Sequence, residues 1–265
     1  MLKDITLGQY FPGSSPIHKL DPRVKILWTI YYCVILFMGD NFYDFLLMGI
    51  FTLLVLTVTK IPLKYFFKGL RPILFFMLFT AVINAYMTPG ERIYSAFWAP
   101  TKEGLAIASL MAVRLIFLVV GTTILTLTTS PIMLSNGIEK LLSPFKRFGV
   151  PAHEISMMMS IAIRFIPTLL EETDKIIKAQ TARGADFESG RLIERAKALI
   201  PVLVPLFVSA FRRAEELAVA MECRCYNGGE HRTSLKQLKI KKRDIVAIVT
   251  AGVLLVLVFL LKYMV

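Results

Sequence analysis

Residues 130–243 carry nineteen Lys/Arg and twelve Asp/Glu, and they lie between two blocks of sequence that read as membrane. A charge inside a bilayer core costs several kcal/mol unless shielded, so this segment cannot span. Its apolar residues nevertheless recur at helical spacing, so it is too apolar to be disordered. Before it lie four candidate spans, about Val24–Met38, Phe42–Thr59, Ile73–Met87 and Leu105–Thr129, and after it a fifth, Ile245–Leu261. The fold class read from this pattern is an all-α integral membrane protein. It has about five transmembrane helices, with a cytoplasmic domain of about three helices inserted before the last span. The expected parts are an N-terminal membrane domain (residues 1–129), the helical domain (130–243) and a C-terminal transmembrane helix (244–265). A chain that gives so much of its length to a helical unit outside the bilayer is suited to transmit something to a soluble partner.

Composition agrees. The chain is 55% hydrophobic with mean hydropathy +0.62, above ordinary soluble domains. A net charge of +12 in a soluble protein would point to nucleic acid. In a membrane protein Lys and Arg gather in loops kept inside the cell, beside anionic lipid, so the lipid bilayer is the expected partner and no nucleic acid is. Cys33 lies in a span, and Cys223 and Cys225 are one residue apart, so no disulfide framework is implied. Lys3, Asp4, Gln9 and Pro12 interrupt any early apolar run, and no cleavable leader is expected.

The positive charges set the expected orientation. Lys3, Lys19, Arg23 and Lys25 precede or open the first span, with Lys25 placed to snorkel. The first loop, Gly39-Asp40-Asn41, has none. Lys60, Lys64, Lys68 and Arg71 crowd the second loop, and the third, Thr88–Gly104, is mixed with Glu91, Arg92, Lys102 and Glu103. This places the N-terminus and the large segment in the cytoplasm and the C-terminus outside. Arg114 is the intramembrane charge, roughly mid-span in the fourth helix. It is either a pathway or gating residue, or an arginine turned into the bundle against a carbonyl or hydroxyl.

Ser130-Pro131 opens the inserted segment as a cap and first helical position, and Pro144 is expected to close that helix. A second is expected over about Ala152–Arg183, kinked at Pro167 and capped by Gly184. A third is expected over Arg191–Tyr226, bent at Pro201 and Pro205. Met157, Met158 and Met159 give the second helix a soft face that suits an adaptable partner surface or, equally, a core. Arg183 and Arg224 each fall in the last turn of a long helix, where the helix dipole favours a cation. Each is flanked by small residues, Ala182 and Gly184 or Cys223 and Cys225. An unobstructed guanidinium fork also suits a carboxylate on a partner, and two such ends could enter two similar grooves of a dimeric partner.

These residues carry a resemblance. Gln180-Thr181-Ala182-Arg183-Gly184-Ala185-Asp186-Phe187-Glu188-Ser189-Gly190 resembles the first arginine motif of the transmembrane T component of energy-coupling factor (ECF) transporters. Ala220-Met221-Glu222-Cys223-Arg224-Cys225-Tyr226, followed by Gly228-Gly229, resembles the second. Gly8-Gln9-Tyr10-Phe11-Pro12-Gly13 through Ser15-Pro16-Ile17-His18-Lys19-Leu20-Asp21-Pro22-Arg23 is similar to that family's opening. The second motif departs from the family's Ala-Arg-Gly. Without that glycine, Cys225 is not expected to take the left-handed cap, which should fall later, at Gly228.

The resemblance implies a coupling subunit in the plasma membrane of a prokaryote. It would join two ABC ATPase subunits (A and A′) to a substrate-capturing S component, with several S components in exchange as one option, for uptake of vitamins or other micronutrients. In that frame Ala182, Arg183, Gly184, Cys223, Arg224 and Cys225 dock on the ATPases. Met157, Met158, Met159, Ile166, Leu199, Leu203 and Phe207 are candidate contacts for the S component.

No Gly-x-x-x-x-Gly-Lys-Ser/Thr segment is present, so ATP hydrolysis is expected in partner subunits and the chain is not expected to be an enzyme. No cofactor is implied. Cys223, Cys225 and His231 lack a fourth ligand and read as small packing and turn residues rather than a metal site. His18 and His153 read as ordinary turn or helix-start residues. Glu171, Glu172, Glu215 and Glu216 read as solvated faces paired along their own helices. The alternative function is a self-contained secondary carrier or channel, for which Arg114 is the lone midplane candidate.

Overall fold

The computed structural model describes residues 10–39, 41–91, 100–187, 192–228, 238 and 240–264. Of the residues named above, Lys3, Asp4, Gly8, Gln9, Asp40, Arg92, Glu188, Ser189, Gly190, Arg191, Gly229 and His231 lie outside these. The described chain is helical: α1 (Pro22–Met38), α2 (Phe42–Thr59), α3 (Leu63–Met87), α4 (Lys102–Thr128), α5 (Pro131–Leu142), α6 (Ala152–Ala182), α7 (Leu192–Glu222) and α8 (Lys242–Met264). It divides into two compact units, one of residues 8–137 with 237–265 and one of residues 1–7 with 138–236.

In the first unit, α2, α3, α4 and the Lys242–Leu261 stretch of α8 are long and apolar enough to cross a membrane. At 17 residues α1 stands at the lower limit for a span, about 17 residues. The third and fourth helices start earlier than their hydropathy indicates. Lys64, Lys68 and Arg71, expected in a loop, lie in the opening turns of α3, which continues through Pro72. Their charges end the apolar run but not the helix, since straight-chain cations are good helix formers. α3 and α4 run antiparallel and approach closely at Gly104. A Cβ there would lie 2.5 Å from the Asn84 carbonyl oxygen, so only glycine admits the contact. Thr101 caps α4 by accepting from the Gly104 amide at 3.1 Å and donates its hydroxyl to the Thr88 carbonyl at 3.0 Å.

Aromatic side chains bind α1 to its neighbours. The Trp28 indole N–H donates to the Ala247 carbonyl of α8 at 2.9 Å, and the Tyr31 hydroxyl to Ala251 at 2.7 Å. Trp28 stacks on Phe51 of α2 at 4.9 Å, and the Tyr32 hydroxyl meets that of Thr52 at 2.6 Å. Tyr32, Ile35, Leu36, Met48, Leu254 and Val258 form the buried cluster beyond them. Each polar end of an aromatic ring thus finds a partner, as burial requires.

A polar layer closes the base of this unit, and two readings change there. Lys25 does not snorkel. It is buried, and its ammonium donates to the His18 carbonyl (3.2 Å), the Thr128 carbonyl (2.9 Å) and the Thr129 hydroxyl (3.3 Å). Three acceptors in place compete with water for the charge. Nor is His18 an ordinary turn residue: it is buried, with Nδ1 2.7 Å from the Ser15 hydroxyl and Nε2 3.0 Å from the Phe11 carbonyl. A carbonyl only accepts, so Nε2 carries the proton and Nδ1 accepts from Ser15. Burial, which disfavours charge, holds this imidazole below its ordinary 6.5 despite the Phe11 carbonyl. Asp244, also buried, accepts from the Asp21 and Lys241 amides at 2.7 Å each, tying the start of α8 to the entry of α1.

Arg114 is turned to a carbonyl. Its Nη2 donates to Gly39, the C-cap of α1, at 2.6 Å, and its guanidinium lies 5.8 Å from the Phe37 ring centre and 5.3 Å from that of Phe45. Mid-helix in α4, it therefore stands level with the α1–α2 connection, because α4 outruns α1. A cation at a helix C-terminus is favoured by the dipole, and the two rings add cation–π attraction.

At the start of the second unit, α5 closes just before Pro144, where a helix is expected to end. It stops at Leu142, and the chain continues as a 3-10 turn, Ser143–Phe148, closed by Gly149 at φ +84°. Helix α6 and helix α7 are 31 residues each, roughly 46 Å long, with backbone assigned as continuous helix through Pro167, Pro201 and Pro205. They pack against each other. Glu139 of α5 accepts from His153 at 3.1 Å and from the Ser156 hydroxyl at 3.0 Å, so His153 is a tie between helices rather than a plain helix-start residue.

Candidate functional site

The ends of α6 and α7 are built alike. At the first, Arg183 occupies the C-cap position, with φ −88° and ψ 6°. The Gly184 amide donates to the Thr181 carbonyl at 3.0 Å and the Ala185 amide to Gln180 at 3.0 Å, with Gly184 at φ +90°. This pair of bonds, five-to-two and six-to-one, is the Schellman cap. At the second, the Cys225 amide donates to Glu222 at 2.8 Å and the Tyr226 amide to Met221 at 3.0 Å. Arg224 therefore holds the same register position as Arg183.

Cys225 does take the left-handed conformation, at φ +55°. The expectation that the cap slides to Gly228 is wrong. Gly228, at φ +77°, adds a later turn. A Cβ in this region costs roughly 1–2 kcal/mol. The two carbonyl partners gained at the helix end, left unsatisfied otherwise, outweigh it. The lost glycine therefore changes the energy of the second cap but not its geometry.

Both arginines are exposed, as are Ala182, Gly184, Cys223 and Cys225. Nothing lies within 4 Å of the Cβ position at Gly184. Among the described residues neither guanidinium forms an ion pair or hydrogen bond. Each tip thus presents five N–H donors to whatever comes against it. Both thiols are free, and no group of three or more potential metal ligands exists among the described residues.

The apolar residues of the same two helices divide. Met158 and Ile166 of α6 are exposed, whereas Met157 and Met159 are half-buried. The methionine run therefore serves both surface and packing. On α7, Leu199, Leu203 and Phe207 are exposed within a longer apolar face that includes Ile200, Val204, Val208 and Phe211. An exposed apolar face of this extent marks a contact surface, with protein or with lipid.

Glu172 corrects another reading. It is not paired along its own helix. It crosses to α7, accepting from the Ser209 hydroxyl and from Arg213 Nη2 at 2.8 Å. Those hydrogen bonds hold its carboxyl below the ordinary range. This clamp fixes α6 on α7 and so sets where the two tips point. Nothing in the spacing of Glu172 distinguished it from the solvated acids beside it.

Comparison with known proteins agrees with the sequence resemblance. The family model described as "CbiQ: Cobalt transport protein" matches residues 13–235. The chain is 56% identical over 257 residues to the "Energy-coupling factor transporter transmembrane protein EcfT" of Clostridium kluyveri, covering 96% of this chain and 95% of that one. It is 54% identical over 258 residues to the protein of that name in Thermosediminibacter oceani (96% and 97%), and 47% identical over 264 residues to the one in Bacillus subtilis (99% and 100%). With helices fit to span a membrane and matches over nearly all of its length, the chain belongs to the CbiQ family, as a transmembrane T component of the energy-coupling factor transporters.

Proposed function

We propose that this chain couples ATP hydrolysis in two ABC ATPase subunits to a substrate-capturing S component, for uptake of vitamins or other micronutrients, and that it hydrolyses nothing itself. Arg183 and Arg224 are the docking anchors, with Ala182, Gly184, Cys223 and Cys225 forming the small collar that lets each guanidinium enter a groove. Residues 130–243 form the cytoplasmic coupling region, with the N-terminus inside and the C-terminus outside. Met158, Ile166, Leu199, Leu203 and Phe207, with the flanks of Met157 and Met159, face the S component.

The observation that carries this reading is that both arginines stand exposed and unengaged by the described residues, at the same position of the same cap. Two like tips fit two like receptors, and a guanidinium entering a groove can pair bidentately with a carboxylate. A self-contained carrier is not supported by Arg114, because its guanidinium is taken up by the Gly39 carbonyl and two rings. The test is the double variant Arg183→Glu with Arg224→Glu. Truncating or reversing one member of a buried, hydrogen-bonded charge pair costs about 2–5 kcal/mol. The double variant is therefore expected to insert in the membrane but to purify without ATPase subunits. Retention of both ATPases and of uptake refutes the docking role.

A further inference from the structure

The membrane unit contains a cavity that neither tip nor coupling face explains. Helices α2 and α8 meet at Met48, Leu254 and Val258. Between their other halves lies a space of about 370 Å³, lined by Leu54 and Val58 of α2 and Val246 and Thr250 of α8, of which Leu54, Val246 and Thr250 are exposed and so mark its mouth. That volume falls within the roughly 300–1,000 Å³ of small-molecule pockets. Trp28, Phe51 and Ile124 wall it, and Pro16, Ile17 and Leu20 of the entry arm close its base.

The chemistry of the walls selects hydrocarbon. Apart from Arg243 at the base, the polar side chains that reach them are already engaged: the Tyr32 hydroxyl with Thr52, the Lys25 ammonium with three oxygens, and the Thr29, Thr128 and Thr250 hydroxyls with carbonyls of their own helices. A water here would lack the two to four polar partners it needs. The opening lies between two membrane-spanning helices, so what enters comes from the bilayer. At the base, Arg243 lines the cavity and is exposed, with exposed Lys241 and Lys242 beside it and Lys19 exposed on the arm next to Ile17 and Leu20. The nearby carboxylates do not cancel this charge at the lip. Asp244 is buried on two backbone amides, and Asp21 is paired with Arg23 at 2.9 Å. An apolar slot ending in basic side chains is the arrangement that binds phosphate headgroups between transmembrane helices.

We propose that this cleft holds one acyl chain of an anionic glycerophospholipid whose phosphate sits on Arg243. The site belongs to the membrane unit and is independent of the docking tips. The test uses the full-length protein, with whatever subunits accompany it, in nanodiscs of equal phosphatidylglycerol and phosphatidylcholine, released and weighed by native mass spectrometry. The wild type is expected to retain one phosphatidylglycerol with about tenfold preference over phosphatidylcholine, the scale of one charged hydrogen bond. Arg243→Gln, at an exposed position, is expected to lose that preference while folding normally. Ala247→Phe, which fills the cleft, is expected to retain neither lipid. A wild type that retains no lipid, or both equally, overturns the proposal. So does an Arg243→Gln protein whose preference is unchanged, whether or not Ala247→Phe folds.

Discussion

Replacing Cys225 by glycine removes the Cβ that the left-handed cap of α7 has to accommodate. At φ +55° that atom costs roughly 1–2 kcal/mol. Glycine returns part of the gain, because the unfolded chain becomes freer by about 0.4–1 kcal/mol. The net expectation for Cys225→Gly is a cap stabilised by about 0.5–1 kcal/mol. The cap bonds report this directly: the Tyr226 amide donates to Met221 and the Cys225 position to Glu222. Amide hydrogen exchange of the full-length protein should show those two amides protected about two- to fivefold more strongly, since about 1.4 kcal/mol is tenfold. The mirror variant, Gly184→Ala, should lower protection at Gly184 and Ala185 by a similar or larger factor. No side chain crowds that site, so the change there is backbone strain alone. Unchanged or weaker protection in Cys225→Gly would refute the assignment of a strained cap at Cys225.

Three further outcomes follow from the geometry. Glu172→Ala, which removes the carboxylate shared by Ser209 and Arg213, should loosen α6 on α7 by about 1 kcal/mol, read as faster exchange of amides around Thr173 and Arg213. Its carboxyl is lowered from the ordinary 4.5, so its stabilisation is complete above that pH and is lost as pH falls through the lowered value. The wild type alone should show that acid sensitivity at the helix contact. His18, also lowered, must lose its advantage as pH falls through 6.5, because the unfolded chain takes the proton first. Thermal midpoints in detergent should decline below that pH in the wild type and flatten in His18→Gln. Gly104→Leu places a Cβ 2.5 Å from the Asn84 carbonyl and should lower stability by about 1–3 kcal/mol, visible as a reduced thermal midpoint.

What the sequence disclosed divides along a physical line. Helices and their ends were legible wherever a local rule decides them: Pro131 after Ser130, Gly184 after Arg183, and the apolar run of α8. What depended on distant partners was not. Lys25 looks free to reach water because the Thr128, Thr129 and His18 oxygens that hold it arrive from elsewhere in the fold. Lys64, Lys68 and Arg71 looked like loop because hydropathy counts charge, while α3 is set by backbone propensity and by packing on α4. Glu172 sits beside Glu171 and Asp174, and only the neighbouring helix shows which acid is engaged; Glu139 stands alone in α5, and its partners His153 and Ser156 come from α6. Cys225 was misread because a local penalty was allowed to decide a cap that two hydrogen bonds decide. The register match of Arg183 and Arg224 was visible as spacing, but the identity of the two caps was not.

The docking of the tips can be tested with the protein's own thiols. Cys223 and Cys225 are exposed and flank Arg224, whereas Cys33 is half-buried in α1. A short thiol-to-photoreactive crosslinker placed on them in native membranes, then activated, should join this chain to an ATPase subunit, and the product should vanish when both cysteines are replaced by alanine. Attachment at Cys223 or Cys225 that yields adducts only within this chain, while the ATPases co-purify, would contradict the account.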